Sequence, residues 1–341
     1  MEKILTVSIA GYNVEGTIRQ TLDSLLVEQV IGKLDIIVND DGGTDGTVAI
    51  AEEYRKRYPD SIRIVHKENG GYGSVINTNL ALAEGKYFKQ LDGDDWFESK
   101  QLERFIDLLE KTEADCILTR VKIVNDHLQT TKIANCYTEI EEGFHRFDET
   151  DFQAFLTMHS VTFRTKAVQN RDIHITEHCF YTDTEYVNSA LPYVDTFYLY
   201  PHVIYVYRRG VEGQSVSWSG RQKHYKEQET VFWKNAETYR RLEEPHKKQL
   251  VANRLNNSGR AHLGYFFRFP VSKEKRSEFQ AYGRKLHEEL PEIETSIKRR
   301  SVFWRVIIGS NYRLYLLPRI PVWMKDHHLY FRKKSNVPAD E

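Results

Sequence analysis

Tyr87-Phe88-Lys89-Gln90-Leu91-Asp92-Gly93-Asp94-Asp95-Trp96 is a short, largely apolar run that ends in a cluster of carboxylates. Tyr87–Leu91 has the length and bounds of a buried strand. Three upstream segments repeat the pattern. Leu5–Ala10 is broken by Gly11-Tyr12-Asn13, and Leu34–Asn39 runs into Asp40-Asp41-Gly42-Gly43-Thr44-Asp45-Gly46-Thr47. Ile62–His66 leads to Asn69-Gly70-Gly71-Tyr72-Gly73. Between the strands lie helical stretches: Val14–Val30, with Ile18, Leu22, Leu25 and Leu26 on one face, then one reaching about Tyr58 and one reaching about Ala83. Strand–helix alternation of this kind predicts an α/β fold with a mainly parallel sheet covered on both faces. Ligands of such sheets bind beyond the carboxyl ends of the strands, where both acidic clusters fall.

Downstream the pattern loosens. A helix over Gln101–Lys111 and a strand over Cys116–Val124 are expected, with short strands near Phe197–Tyr200 and Val203–Arg208. Arg209–Ser215 has two glycines and few apolar anchors and reads as a mobile loop. Past Gly220 the chain is helical, charged and aromatic. The expected organisation is therefore a catalytic-type domain over 1–218 and a helical region over 219–341.

Composition narrows the function classes. The chain has 341 residues and 40% hydrophobic content, enough for a sizeable core. A formal net charge of -1 gives no global basic field for nucleic acid. Cys116, Cys136 and Cys179 form neither a CxxC pair nor an even disulfide framework, which suggests a reducing, cytoplasmic setting. No signal-peptide pattern and no apolar run of about 18–20 residues is evident, so the expectation is a soluble or peripheral protein.

The acidic clusters suit a sugar–diphosphate ligand. Its diphosphate leaving group is strongly anionic, and hard cations such as Mg²⁺ or Mn²⁺ reach it through one or two carboxylates. Asp92-x-Asp94 at a strand end offers such a pair, with Asp95 beside it, and Gly93 is expected to let the ligand approach closely. An isolated DxD is usually a solvated acidic turn, so the weight rests on its context. Asp41, next to Asp40, can accept bonds from a nucleobase or ribose, while Thr44 and Asp45 suit a helix cap.

Ser8-Ile9-Ala10-Gly11-Tyr12-Asn13, Asp40–Thr47, Asn69-Gly70-Gly71 and Lys86–Trp96 together resemble family 2 glycosyltransferases of the bacterial polysaccharide type. The likeness is close over roughly the first hundred residues and weaker to about residue 217. It implies the GT-A fold, a Rossmann-like sheet flanked by helices, here with a helical C-terminal extension. It also implies base contacts at Ala10, Tyr12 and Asp41, with Asn69 in the donor loop, Asp92 on the ribose side and Asp94 on the metal. Tyr181-Thr182-Asp183-Thr184-Glu185-Tyr186 is similar to the family's acidic motif, with Thr182 where Glu is common. That makes Asp183 the expected general base. Glu177 and Glu185 are its rivals, and simple helix capping is the structural alternative. His159 stands in a segment similar to one beside the sugar pocket. Arg208, Arg209 and Gln214 could close over the diphosphate or simply be solvated. The chain departs from the family pattern at Ile76, Ala10 and Gly43, where Arg, Pro and Ser are common.

The resemblance implies inverting transfer from a nucleotide-sugar, UDP-linked, to a hydroxyl of a glycan or lipid-linked glycan. Three rival classes remain. An NAD-dependent oxidoreductase would carry GxGxxG where this chain has Gly11-Tyr12-Asn13-Val14-Glu15-Gly16. A nucleotidyltransferase would want a glycine-rich basic loop there. A non-catalytic nucleotide-sugar or glycan-binding protein would not need Asp92, Asp94 and Asp183. From Ile297 to Lys325 basic residues alternate with Trp, Tyr and Leu, which suits either peripheral membrane contact or packing on protein, including a second subunit.

Overall fold

In the computed structural model, which describes residues 2–125, 127–135, 137–210 and 217–316, Leu5–Ala10 forms β1 and is buried along most of its length. There follow α1 (Ile18–Asp23), β2 (Leu34–Asp40), α2 (Thr47–Arg57), β3 (Ile62–His66), α3 (Tyr72–Leu82) and β4 (Tyr87–Asp92). Next come β5 (Trp96–Phe97), α4 (Ser99–Lys111), β6 (Cys116–Asn125), β7 (Thr130–Ala134), β8 (Gly143–Arg146) and β9 (Val161–Arg164). The order continues with α5 (Thr165–Val168), α6 (Asp183–Ala190), β10 (Thr196–Arg209), α7 (Trp218–Lys223), α8 (Tyr225–Arg241) and α9 (Pro245–Tyr265). The last are α10 (Lys273–Glu289), α11 (Pro291–Arg299) and α12 (Val302–Gly309).

The strands join one sheet in the order β3-β2-β1-β4-β9-β6-β10-β5, with β7 on β6 and β8 on β10. β3, β2, β1 and β4 are parallel neighbours, as the alternation predicts. β9 enters antiparallel between β4 and β6, while β6 and β10 pair parallel. The two short strands expected near 197–208 are one strand, β10, whose pairing with β6 slips between Tyr200 and Tyr205.

The expected Val14–Val30 helix is also shorter. After Asp23 the chain leaves the helix because Ser24 is used elsewhere: its hydroxyl accepts from Phe97 N (3.0 Å) and its carbonyl accepts from Ser99 Oγ (2.8 Å).

Two compact units divide after Arg254, within α9. Helices α7 and α8 fall in the first, although the sequence placed them with the C-terminal region. Asn235 of α8 bonds to Asn188 (2.8 Å) and Thr184 (3.0 Å) of α6, and Glu227 of α8 accepts from Phe180 N (2.7 Å). The second unit has an aromatic core of Phe266, Phe279, Tyr282, Tyr312 and Tyr315. There Gly283 lets the Tyr312 ring lie against α10, since a Cβ would come within 2.5 Å of it. Cys116 and Cys179 are free and buried, and Cys136 lies outside the described residues. Among the described residues no helix is long and apolar enough to cross a membrane.

Candidate active site

Parallel register sets Ala10 at the end of β1 beside Asp92 at the end of β4. The turn after β4 is pressed against β1: a Cβ on Gly93 would lie 2.5 Å from Ala10 O and 2.8 Å from Val14 Cγ2. The close approach that demands glycine here is made by the protein's own backbone, and Gly93 also lines the cavity that opens on this turn. Thr17 and Thr21 of the α1 region donate to the carbonyls of Gly93 (2.8 Å) and Asp95 (2.7 Å) and hold the turn from below.

Within that turn the carboxylates differ. Asp95 is fully buried, and both its oxygens are used: Oδ2 accepts from Tyr205 Oη (2.6 Å) and Oδ1 from Arg208 N (2.7 Å). It ties β10 to the β4 turn. Asp92 accepts from the Tyr72 hydroxyl, and its N–H donates to Tyr205 Oη (3.1 Å). Burial first, then the neighbouring Asp94, pushes the Asp92 carboxyl up to about 7. His159 places a ring nitrogen so that ligand atoms of Asp92, Asp95 and His159 all lie within 4.8 Å of one another. Its ring sits 4.5 Å from that of Tyr207 and 4.9 Å from that of Tyr205. Burial, with help from Lys89 and Arg254, lowers its pKa to about 3, so the imidazole is neutral and able to ligate. Crowded carboxyl groups beside a neutral imidazole are chemically suited to a hard divalent cation.

A cavity of about 370 Å³ opens on this turn, lined by Asp92, Asp94, Tyr12, Met158, His159, Asp183 and Tyr207 among others. Asp183 is the first residue of α6, and the cap position belongs to Thr182, which makes no side-chain capping bond. Burial raises the Asp183 pKa above the usual aspartate value, and the Arg254 guanidinium opposes the rise. The rival bases are placed elsewhere. Glu185 is buried and accepts from Thr176 N (3.2 Å) and Oγ1 (2.9 Å), and exposed Glu177 accepts from Asn77 Nδ2 (3.2 Å). Neither lines the cavity.

A second cavity of about 420 Å³ shares Ala10, Tyr12, Tyr72 and Phe180 with the first and adds Asp41, Asn69, Val75 and Glu227. Asp41 organises its floor. Oδ1 accepts from Lys67 Nζ (2.6 Å) and Gly70 N (2.9 Å), and Oδ2 accepts from Gly71 N (2.8 Å). Asn69 Nδ2 returns a bond to Asp41 O (2.9 Å). Tyr12 is 52% exposed and free to offer its ring face. Asp40 lies outside both linings and closes its own turn through Gly43 N (2.8 Å).

Residues 6–175 match the family model described as glycosyl transferase family 2. The chain belongs to that family. The match covers β1 through the segment before α6, so it holds Asp41, Asp92 and Asp94 but stops short of Asp183. Family relatives include an uncharacterized glycosyltransferase, EpsJ, of Bacillus subtilis, 36% identical over 34% of this chain and 33% of its own length. Another is the poly(ribitol-phosphate) beta-glucosyltransferase of Bacillus spizizenii, 34% identical over 36% of this chain and 19% of its own length. The matched region thus spans a third or less of these curated relatives. The crystal structure of S. aureus TarS 1-349 in complex with UDP-GlcNAc is 20% identical, with a TM-score of 0.70 over 96% of this chain and 93% of that one. At that identity the likeness is one of fold: the GT-A-like α/β sheet expected from the sequence, followed by a helical C-terminal region.

Several site residues of this family 2 chain escaped the sequence reading. Tyr72, Tyr205 and Tyr207 ring the acidic turn; the last two alternate along β10, a period-two signal that points both to one side of the strand. Phe180 sits between left-handed His178 (φ 50) and Tyr181 (φ 67), uncommon conformations for such residues, and faces both cavities. Arg208, for which closure over a diphosphate and plain solvation were both open, braces the turn: its Nε donates to Asp94 O (3.0 Å) and its guanidinium stacks 4.8 Å from the Trp96 ring. Arg209 is exposed at the end of β10, and Gln214 lies outside the described residues.

Proposed function

We propose that this chain moves a sugar from a UDP-linked donor to a hydroxyl of a glycan or lipid-linked glycan, by single displacement with inversion. The observation that carries the reading is the shared cavity, in which Asp183 of α6 faces the Asp92–Asp94 turn of β4 across one space. The adjoining cavity fits the nucleoside. Tyr12 offers a ring face to the base, and Asp41 and Asn69 line the polar floor. The TarS complex with UDP-GlcNAc and the poly(ribitol-phosphate) beta-glucosyltransferase support a UDP-linked donor and a polymer hydroxyl as acceptor.

Asp94, with Asp92 and His159 close by, would hold a Mg²⁺ or Mn²⁺ ion. The raised Asp92 pKa fits this, because a divalent cation would offset the repulsion between neighbouring carboxylates. Such an ion neutralises charge that develops on the departing diphosphate. The remaining work falls to the chain itself. Tyr72, on the Asp92 carboxylate, and Tyr205, on its N–H, orient Asp92, and Asp95 locks the turn to β10. Asp183 takes the proton of the attacking hydroxyl, for which a carboxyl raised above its ordinary range is the better base.

The test is release of nucleoside diphosphate by slow transfer to water, measured with Mn²⁺ and a panel of UDP- and GDP-sugars. The expected result is UDP release from a particular UDP-sugar, abolished by chelation and by Asp94→Ala. Release that survives Asp94→Ala, or release of GDP alone, contradicts the reading.

A further inference from the structure

We propose that the outer face of α12 is a docking surface for an anionic lipid bilayer. The helix has two apolar sides. Trp304, Ile307 and Ile308 point into the second unit and are buried. Val302 (68% exposed) and Val306 (42%) cover the opposite side, with Phe303 (40%) at its edge, its ring 5.7 Å from that of Phe267. At 3.6 residues per turn these three share one face, and Arg305 borders it. Leu314 and Leu316, a few residues on, are also exposed. Because its inner side is already packed, α12 presents this face as a fixed element.

The charge around the face names the occupant. From Thr295 to Leu316 there is no Asp or Glu, while Lys298, Arg299, Arg300, Arg305 and Arg313 all fall in that span. All four arginines are exposed. The nearest acid on α11, Glu294, is buried and already accepts from Tyr312 Oη (2.7 Å), with His287 Nδ1 2.8 Å from its other oxygen. Apolar side chains rimmed by arginine suit the boundary between acyl chains and anionic headgroups. Two other occupants fit less well. A two-fold contact between copies would set this arginine rim against itself. The residues that follow, 317–341, carry Arg319, Lys325, Arg332, Lys333 and Lys334 against Asp326, Asp340 and Glu341, so they supply no net counter-charge.

The experiment is co-sedimentation of the full chain with vesicles of phosphatidylcholine alone or mixed with phosphatidylglycerol, at low and high salt. The expected result is binding to the phosphatidylglycerol vesicles that weakens with salt. Two variants separate the contributions: Val302→Asp with Val306→Asp removes the apolar face, and Arg300→Glu with Arg305→Glu reverses the rim. Each pair should lower the partition coefficient at least roughly tenfold. All four side chains are exposed, so the thermal midpoint should not move; should one pair unfold the protein, the other still decides. Absence of wild-type binding, equal binding to phosphatidylcholine alone, or wild-type binding by every folded variant overturns the proposal. So does a concentration-dependent dimer that Val302→Asp abolishes. Binding of UDP is read separately, so failure here and failure of the proposed transfer reaction are distinguishable.

Discussion

Asp183→Asn isolates the chemical step from donor binding. The substitution keeps the size of the side chain and removes its capacity to accept a proton. Asp183 lines the cavity that holds Asp92, Asp94 and His159, but is not part of the cavity formed by Tyr12, Asp41 and Asn69. A positioned general base contributes about 10²–10⁴-fold, or about 2.7–5.5 kcal/mol of transition-state stabilisation. Asp183 also adds to the repulsion that raises Asp92, so its loss should not weaken donor binding. The expectation is a fall in kcat within that range, with UDP affinity retained. Acidity supplies an independent readout. A general base must be ionised, and burial raises the pKa of Asp183. The rate of the wild type should therefore fall as pH drops through a value above the ~3.9 of a free aspartate, and the residual rate of Asp183→Asn should lose that limb. The control is Glu185→Gln, which keeps an oxygen to accept from Thr176 and should leave kcat close to wild type. Wild-type turnover in Asp183→Asn, or loss of turnover in Glu185→Gln instead, refutes the assignment of the base.

Three further outcomes follow from the geometry. Tyr12→Ala should weaken UDP binding by the ~1–3 kcal/mol typical of a base stacked on an aromatic ring, without a change in thermal midpoint, because Tyr12 is 52% exposed; calorimetry checks both. Gly93→Ala drives a Cβ to 2.5 Å from Ala10 O and should cost about 1–3 kcal/mol in denaturant unfolding, with metal-dependent UDP binding lost as the turn shifts. Asp41→Ala leaves the N–H groups of Gly70 and Gly71 without their acceptor and strips the Lys67 ammonium of its carboxylate, leaving it only Glu68 O and Ser74 Oγ, and should cost about 2–4 kcal/mol by the same measurement.

The parallel half of the sheet could be read from the chain because its strands are short, largely apolar runs, and β1, β2 and β4 end directly at glycine or carboxylate. The turn at Asp92–Asp95 was legible for the same reason. What lay hidden depended on partners distant in sequence. Nothing near Asp95 announces that Tyr205 and the N–H of Arg208 will consume both its oxygens. Local charge left Arg208 open between a phosphate contact and solvation and gave no sign that Trp96 and the Asp94 carbonyl engage it. Helix α1 ends early because Ser24 serves Phe97 and Ser99, some seventy-five residues away. Arg254, far along in α9, acts electrostatically on Asp183 and donates to Leu156 O (2.9 Å); no local motif marks it.

The two adjoining cavities are proposed to hold a metal-bound UDP-sugar. Calorimetric titration of the full chain with UDP, with and without Mn²⁺, tests this most directly, with GDP and Asp94→Ala as comparisons. The expected result is UDP binding that requires Mn²⁺, exceeds GDP binding and disappears in Asp94→Ala. UDP binding that ignores both Mn²⁺ and Asp94→Ala, or no binding of either nucleotide, would contradict it.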